Sequence, residues 1–237
     1  MRFSLIALFG LAAATGCSEY SAPTSTEAAP APMSVPSQAA SQREPAADYT
    51  VTFDSTWSRA THPQDFPAQP HFSGLIGATH GDDVRFWEMG ETASDGIKAM
   101  AERGSKTPLD EETRGARAAG TAGRLLSGGG IGRSPGTVSL DFRIQSDAPL
   151  VTLVSMVAPS PDWFVGVSAL SLVQNGAWVD ELKVDLFAHD AGTDSGTTYA
   201  APDEPSTPRM PIRPIRGRPL AVNGYAAPMG TFTFTKR

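Results

Sequence analysis

The chain is short of several things, and each shortage closes off a class of protein. It has one cysteine in 237 residues and four histidines, so neither a disulfide scaffold nor a Cys-rich zinc site can be built. No His-Glu-x-x-His pair occurs, and a zinc enzyme made from His62, His71, His80 and His189 would need unrelated loops to converge. Lys and Arg together number 19 against 25 Asp and Glu, a formal charge of -6. That balance disfavours a protein built to wrap nucleic-acid phosphates, which needs clustered cations. No apolar run approaches the roughly 20 residues that a membrane-crossing helix takes. What the chain has in excess is turn chemistry, with 23 Gly and 20 Pro, which argues against a helical bundle.

The amino terminus carries its own signal. Arg2 precedes an apolar run of about 12 residues, Phe3 to Ala14, and small residues follow, the layout of a signal peptide over 1–16. Ala14-Thr15-Gly16-Cys17 resembles the lipobox of bacterial lipoproteins, in which the Cys is acylated after cleavage just before it. Ala14 departs from the more usual Leu, and an ordinary secretory signal with an incidental Cys is the alternative. The resemblance implies a lipid anchor at Cys17, and Ser18 rather than Asp after it implies the outer membrane of a bacterial cell envelope. Each buried CH₂ of such an anchor contributes about 0.8 kcal/mol to membrane binding. From 17 to 48 the chain is Ala-, Pro- and Ser-rich with almost no large apolar residue, so it reads as a disordered tether of roughly 95 Å at most.

From Tyr49 the texture changes, and 49–237 reads as one domain. Tyr49 to Phe53, Val138 to Ile144 and Thr231 to Thr235 alternate apolar and polar residues, as strands with one buried face do. Leu150 to Val157, Val165 to Val173 and Trp178 to Phe187 are richer in Val and Leu and suit central strands, and Val84 to Glu88 is a shorter candidate. The economical architecture is mostly β, an antiparallel sandwich with one or two short helices. Ser94 to Arg103 has a Ser N-cap signal and a closing Gly104. Ala116 to Leu126 is the second helix candidate, and Ser105 to Gly115 reads as an exposed excursion between them.

Motifs for catalysis are thin. Gly128 to Gly136 matches neither nucleotide-binding pattern and reads as a flexible loop. Gly166-Val167-Ser168-Ala169-Leu170 has Leu170 where a hydrolase elbow needs Gly, which leaves Ser168 a strand residue. Acidic loops say more. Asp190-Ala191-Gly192-Thr193-Asp194-Ser195-Gly196 sets two Asp four apart in a Gly-containing turn after a strong strand, and Pro161-Asp162-Trp163 is a second acidic turn before another. Calcium takes about six to eight oxygens, and such loops can offer carboxylates and carbonyls to one point. Taken alone, each is equally an Asp-capped turn.

Ser160-Pro161-Asp162-Trp163-Phe164-Val165-Gly166-Val167, then Trp178, then Asp185-Leu186 through Asp190-Ala191-Gly192-Thr193-Asp194-Ser195-Gly196 to Pro205 and Pro208, resemble the spondin domain of F-spondin and mindin. Phe53, Trp57, His62-Pro63, Phe66-Pro67, Phe72-Ser73, Ile76 to His80, Trp87, Gly90 and Ala101 to Gly104 run in that family's order. The resemblance implies a C2-like β-sandwich that binds Ca²⁺ through Asp162, Asp190 and Asp194, with Asp141 a weaker fourth match. It lacks the Cys-rich repeats of the animal proteins, so their matrix roles do not carry over. With the anchor and tether, it implies an envelope lipoprotein for binding or adhesion, with an extracellular or periplasmic protein or glycan as ligand and no nucleic acid. The alternatives are a metal-dependent envelope hydrolase and a purely structural spacer.

Overall fold

The alternating residues of Ala46–Ser55 bury one face and expose the other, with Ala47, Tyr49, Val51, Phe53 and Ser55 inside. This is β1 of a structure, a computed structural model, that describes residues 44–223 and 225–237. The signal sequence, Cys17 and most of the tether lie outside the described residues. β1 begins three residues before the boundary expected at Tyr49. The elements that follow are β2 (His71–Phe72), β3 (Ile76–His80), α1 (Asp95–Arg103), α2 (Leu109–Ala118), β4 (Ala122–Ser127), β5 (Gly136–Gln145) and β6 (Leu150–Ala158). Then come β7 (Trp163–Ser171), β8 (Val173–Gln174), β9 (Ala177–Trp178), β10 (Glu181–Leu186), β11 (His189–Asp190), β12 (Arg213–Pro214), β13 (Ala221–Val222), β14 (Tyr225–Ala226) and β15 (Gly230–Lys236).

The strands form the expected antiparallel sandwich. One sheet has the order β10-β15-β1-β5, the other β12-β11-β7-β6-β3-β4 with β2 also on β6. Between them Tyr49, Phe53, Phe232 and Phe234 of the first sheet meet Val151, Leu153, Trp163 and Val165 of the second. The larger sheet is covered on its other face as well. There Ile76, Val154, Met156 and Phe164 pack against Ile97 and Met100 of α1 and Leu109 of α2. A strand buried on both faces has no reason to alternate, and β6 is apolar throughout except for Thr152 and Ser155.

The helix expected over Ser94 to Arg103 is α1. Ser94 Oγ accepts from Ile97 N, and Gly104 ends the helix in the left-handed conformation. The second helix is not at Ala116 to Leu126. It occupies Leu109–Ala118, mostly within the stretch expected to be an exposed excursion and overlapping the expected helix only at Ala116 to Ala118, and Ala122–Ser127 is a strand instead. Two causes hid it: α2 has Pro108 at its N-cap with no side-chain cap bond, and β4 owes its form to pairing with β3. Val84 to Glu88 is not a strand either, since Phe86 and Trp87 are adjacent yet both buried, which an alternating strand does not allow. The Gly128 to Gly136 loop is pinned where Ile131 N donates to Phe72 O at 3.1 Å and Phe72 N to Ile131 O at 2.9 Å.

Candidate functional site

Two acidic turns meet at one end of the larger sheet. β11 pairs with β7 so that Asp190 stands opposite Trp163, and Ala191 N donates to Asp162 O at 3.1 Å. This pairing brings Asp162, just before β7, against the loop that starts at Asp190. All three carboxylates expected at a metal site are buried: Asp162 is 0% exposed, Asp194 3% and Asp190 7%.

Each is held differently. Asp162 Oδ2 accepts from Thr193 N at 2.7 Å, Thr193 Oγ1 at 3.3 Å and Asp194 N at 3.1 Å, while its Oδ1 is buried with no partner. Asp190 Oδ1 accepts from Gly192 N at 2.8 Å, and its Oδ2 takes the Arg213 guanidinium at 2.8 and 3.2 Å. Asp194 Oδ1 accepts from Gly196 N at 2.7 Å and Oδ2 from Glu204 N at 2.8 Å. A cavity of about 220 Å³ opens beside Asp194, with Glu102, Arg103, Ser160 and Asp203 also on its wall, while Asp162 and Asp190 do not line it.

Burial, and after it the charge of Asp190, pushes the Asp162 carboxyl up to about 6, although the N–H groups of Thr193 and Asp194 pull the other way. The arrangement is therefore a desolvated acidic cluster, with Arg213 seated on Asp190 and one buried, unpartnered oxygen on Asp162. That suits a hard cation whose charge would remove the repulsion. As the side chains stand, no group of three or more His, Cys, Asp or Glu among the described residues is gathered as ligands around one point. Asp190 and Asp194 turn both oxygens to their own loop or to Arg213, and would meet a cation with their remaining lone pairs.

Asp141 is not brought to this place. It lies exposed on β5 in the other sheet, accepting from Thr50 Oγ1 at 2.6 Å and pairing with Arg237 Nη1 at 2.7 Å. The histidines stay apart as well. His62 is fully buried in a turn, its N–H donating to Ser58 O at 2.8 Å. His80 Nε2 meets Thr152 Oγ1 at 2.8 Å inside the core, and His189 packs against Trp87 and Phe164, where desolvation lowers its pKa to about 4. Ser168 donates to the Trp87 carbonyl from within β7.

Sequence reasoning missed Arg213 and Thr193. Thr193 stood inside the quoted loop, but the repeated Asp-x-Gly spacing points only to the Gly192 and Gly196 N–H groups, which cap Asp190 and Asp194, and not to the bond from Thr193 to Asp162. Arg213 is 23 residues from its partner, and nothing in the sequence points to it.

The Spondin_N family model matches residues 47–223. Spondin-1 of Gallus gallus is 38% identical over 181 residues, which cover 71% of this chain and 22% of that protein. Spondin-1 of Homo sapiens has the same identity and coverage. Spondin-2 of Rattus norvegicus is 33% identical over 175 residues, 72% of this chain and 53% of that protein. The chain thus spans 22% of the length of spondin-1 and about half of spondin-2.

Proposed function

The chain belongs to the Spondin_N family, and from that premise we propose that it is a cell-envelope lipoprotein displaying a calcium-binding domain for binding or adhesion. Asp162, Asp190 and Asp194 hold the cation, together with backbone oxygens. Cys17 anchors the chain to the outer membrane, and the Ala/Pro/Ser segment holds the domain away from it. The ligand is an extracellular or periplasmic protein or glycan.

One observation carries the calcium reading: Asp162 Oδ1 is buried without a partner while its own carboxyl is repelled by Asp190. A fold that keeps such an oxygen open incurs a desolvation cost that a bound cation offsets. The hydrolase alternative gains no support. His80 and Thr152, which lie at base–hydroxyl distance, are 0% and 1% exposed, and His80 Nδ1 is committed to Gly81 O at 2.6 Å. No substrate reaches them. Among the described residues no helix is long and apolar enough to cross a membrane.

Calcium binding to the native state alone would stabilise it by RT ln(1 + [L]/Kd), roughly 2.7 kcal/mol for a Kd of about 10⁻⁴ M in about 10⁻² M calcium. The test is calorimetric titration with thermal melts in calcium, magnesium and chelator, for the natural chain and Asp162→Asn. A calcium-specific rise in Tm that Asp162→Asn abolishes is expected. Equal Tm in calcium and chelator, with no binding heat up to several millimolar, overturns the reading.

A further inference from the structure

A second polar site lies where the open edges of the two sheets approach each other. β4 ends the seven-stranded sheet and β5 ends the four-stranded one. Where α2 runs into β4, two cavities of about 550 and 210 Å³ adjoin and share Arg117, Gly123 and Gln145. Arg114 and Arg117 reach this cleft from α2, Arg124 from β4 and Arg143 from β5, against one lining acid, Asp147. Four arginines thus line two adjoining cavities, Arg117 both of them, in a chain whose net charge is -6.

Their partners are unevenly shared. Arg114 is paired with Asp110 at 2.7 Å and Arg143 with Asp48 at 2.8 Å. The side chains of Arg117 and Arg124 have no hydrogen bond or ion pair among the described residues, so two forks of donors stand free beside the other two cations. The α2 carbonyls that would repel an anion are already used: Ala119 N, Gly120 N and Thr121 N donate back to Gly115, Arg117 and Ala116 at 3.0 Å. Gly123, on the wall of both cavities, is packed too closely for a side chain, since a Cβ there would stand 2.6 Å from Thr79 Oγ1.

We propose that this cleft binds an acidic oligosaccharide, with sulfate or carboxylate groups held by Arg117 and Arg124. The inference rests on the binding role proposed above and names its ligand class. Guanidinium forks match such groups two bonds at a time, and two joined cavities suit anionic groups repeated along a chain better than a single ion. Nucleic acid fits less well, because neither cavity is lined by an aromatic on which a base could stack. A membrane surface fits less well too. The cleft is recessed, and none of the exposed large apolar residues, Met89, Phe187 and Met210, lines it.

The test titrates the full chain with a heparin hexasaccharide, inorganic sulfate, a single-stranded oligonucleotide and phosphatidylglycerol vesicles, each in calcium and in chelator. The hexasaccharide should bind, and about tenfold more weakly at about 300 than at 50 mM salt. Arg117→Glu with Arg124→Glu should weaken it at least about tenfold, two reversed charges in one cleft being worth about 1.4 kcal/mol or more, without lowering Tm. Arg117→Gln with Arg124→Gln serves if the Glu pair does not fold, and Arg133→Glu, outside the cleft, should change nothing. Absence of hexasaccharide binding at low salt, equal binding by the double variant, equal affinity for sulfate alone, or tighter binding of oligonucleotide or vesicles each overturns the proposal. Binding that persists in chelator without any calcium heat defeats only the calcium reading, whereas calcium heat without oligosaccharide binding defeats only this one.

Discussion

Thr193 gives both of its donors to a single oxygen of Asp162, the backbone N–H at 2.7 Å and the hydroxyl at 3.3 Å. With Asp194 N at 3.1 Å on the same atom, Oδ2 is saturated and Oδ1 is left bare. The ionised carboxyl is thus favoured on one side and desolvated on the other. Desolvation wins, which is why its pKa rises to about 6.

That rise has a definite sign in stability. Between the unfolded value near 3.8 and the folded value near 6, the native state holds a proton that the unfolded chain has lost, so this group's contribution falls as pH rises through the window. By pH 7 the penalty is of order 3 kcal/mol. In chelator, Asp162→Asn should therefore melt above the natural chain at pH 7, with the gap closing toward pH 4. His189, held near 4 by burial, acts oppositely in both proteins and cancels in the difference. A gap that is absent at pH 7, or that grows on acidification, contradicts this.

A calcium ion bound through Asp162 would displace the same proton. Binding at pH 5 should be about tenfold weaker than at pH 7, and titrations in buffers of different ionisation enthalpy near pH 5.5 should show net proton release. Affinity that stays flat from pH 5 to 7 would mean that Asp162 is not a ligand.

Arg213 is a cation already seated on Asp190, at 2.8 Å. Arg213→Gln should lower Tm in chelator by a few degrees, about what 1 kcal/mol produces in a domain of this size, and enlarge the rise that calcium causes. An unchanged calcium increment would show that the guanidinium and the metal do not compete.

Gly192 has φ +72°, and a Cβ there would lie 2.1 Å from Met210 O. Gly192→Ala should cost more than about 2 kcal/mol and abolish the calcium response, because its N–H also holds Asp190 Oδ1. Gly120 has φ +79° but open space around it, so Gly120→Ala should cost only about 1 kcal/mol. Equal costs would refute the steric argument.

At the amino terminus, the Ala14 to Cys17 motif predicts a mature chain that begins at acylated Cys17 and partitions with membranes. Mass spectrometry of the amino-terminal peptide decides it, and a free Cys17 thiol or cleavage elsewhere would remove the anchor from the function.

Strands whose period comes from burying one face could be read directly. β1, β5 and β15 alternate, and their limits were found to within a few residues. α1 was legible because Ser94 and Gly104 mark both ends. α2 was not, since Pro108 offers no cap bond, Gly115 sits in its interior, and its place is set by contact with α1, where Glu112 accepts from Gly96 N at 2.7 Å. At the site, Asp162, Asp190 and Asp194 were visible as loop residues, and strand pairing made them neighbours. The cleft arginines gave no warning, because Arg117 and Arg143 are 26 positions apart and only the approach of two sheet edges joins them.

β1 bears on more than the packing of its own side chains. It runs between β5, along its whole length, and β15, over Tyr49–Ser55, and Arg237 N closes the near end by donating to Asp48 O at 2.9 Å. A pull on the chain at Glu44 acts along the axis of this inner strand. With the domain held at the far end of β1, it loads both flanking ladders in shear, all together, whereas a pull between the two chain ends, which meet where Tyr49 faces Lys236, would open the β1–β15 ladder bond by bond. Tyr49, Val51 and Phe53, buried between the sheets, would have to slide out as one body before the strand could leave. A load entering the domain at Glu44 would therefore be met first by both ladders of β1.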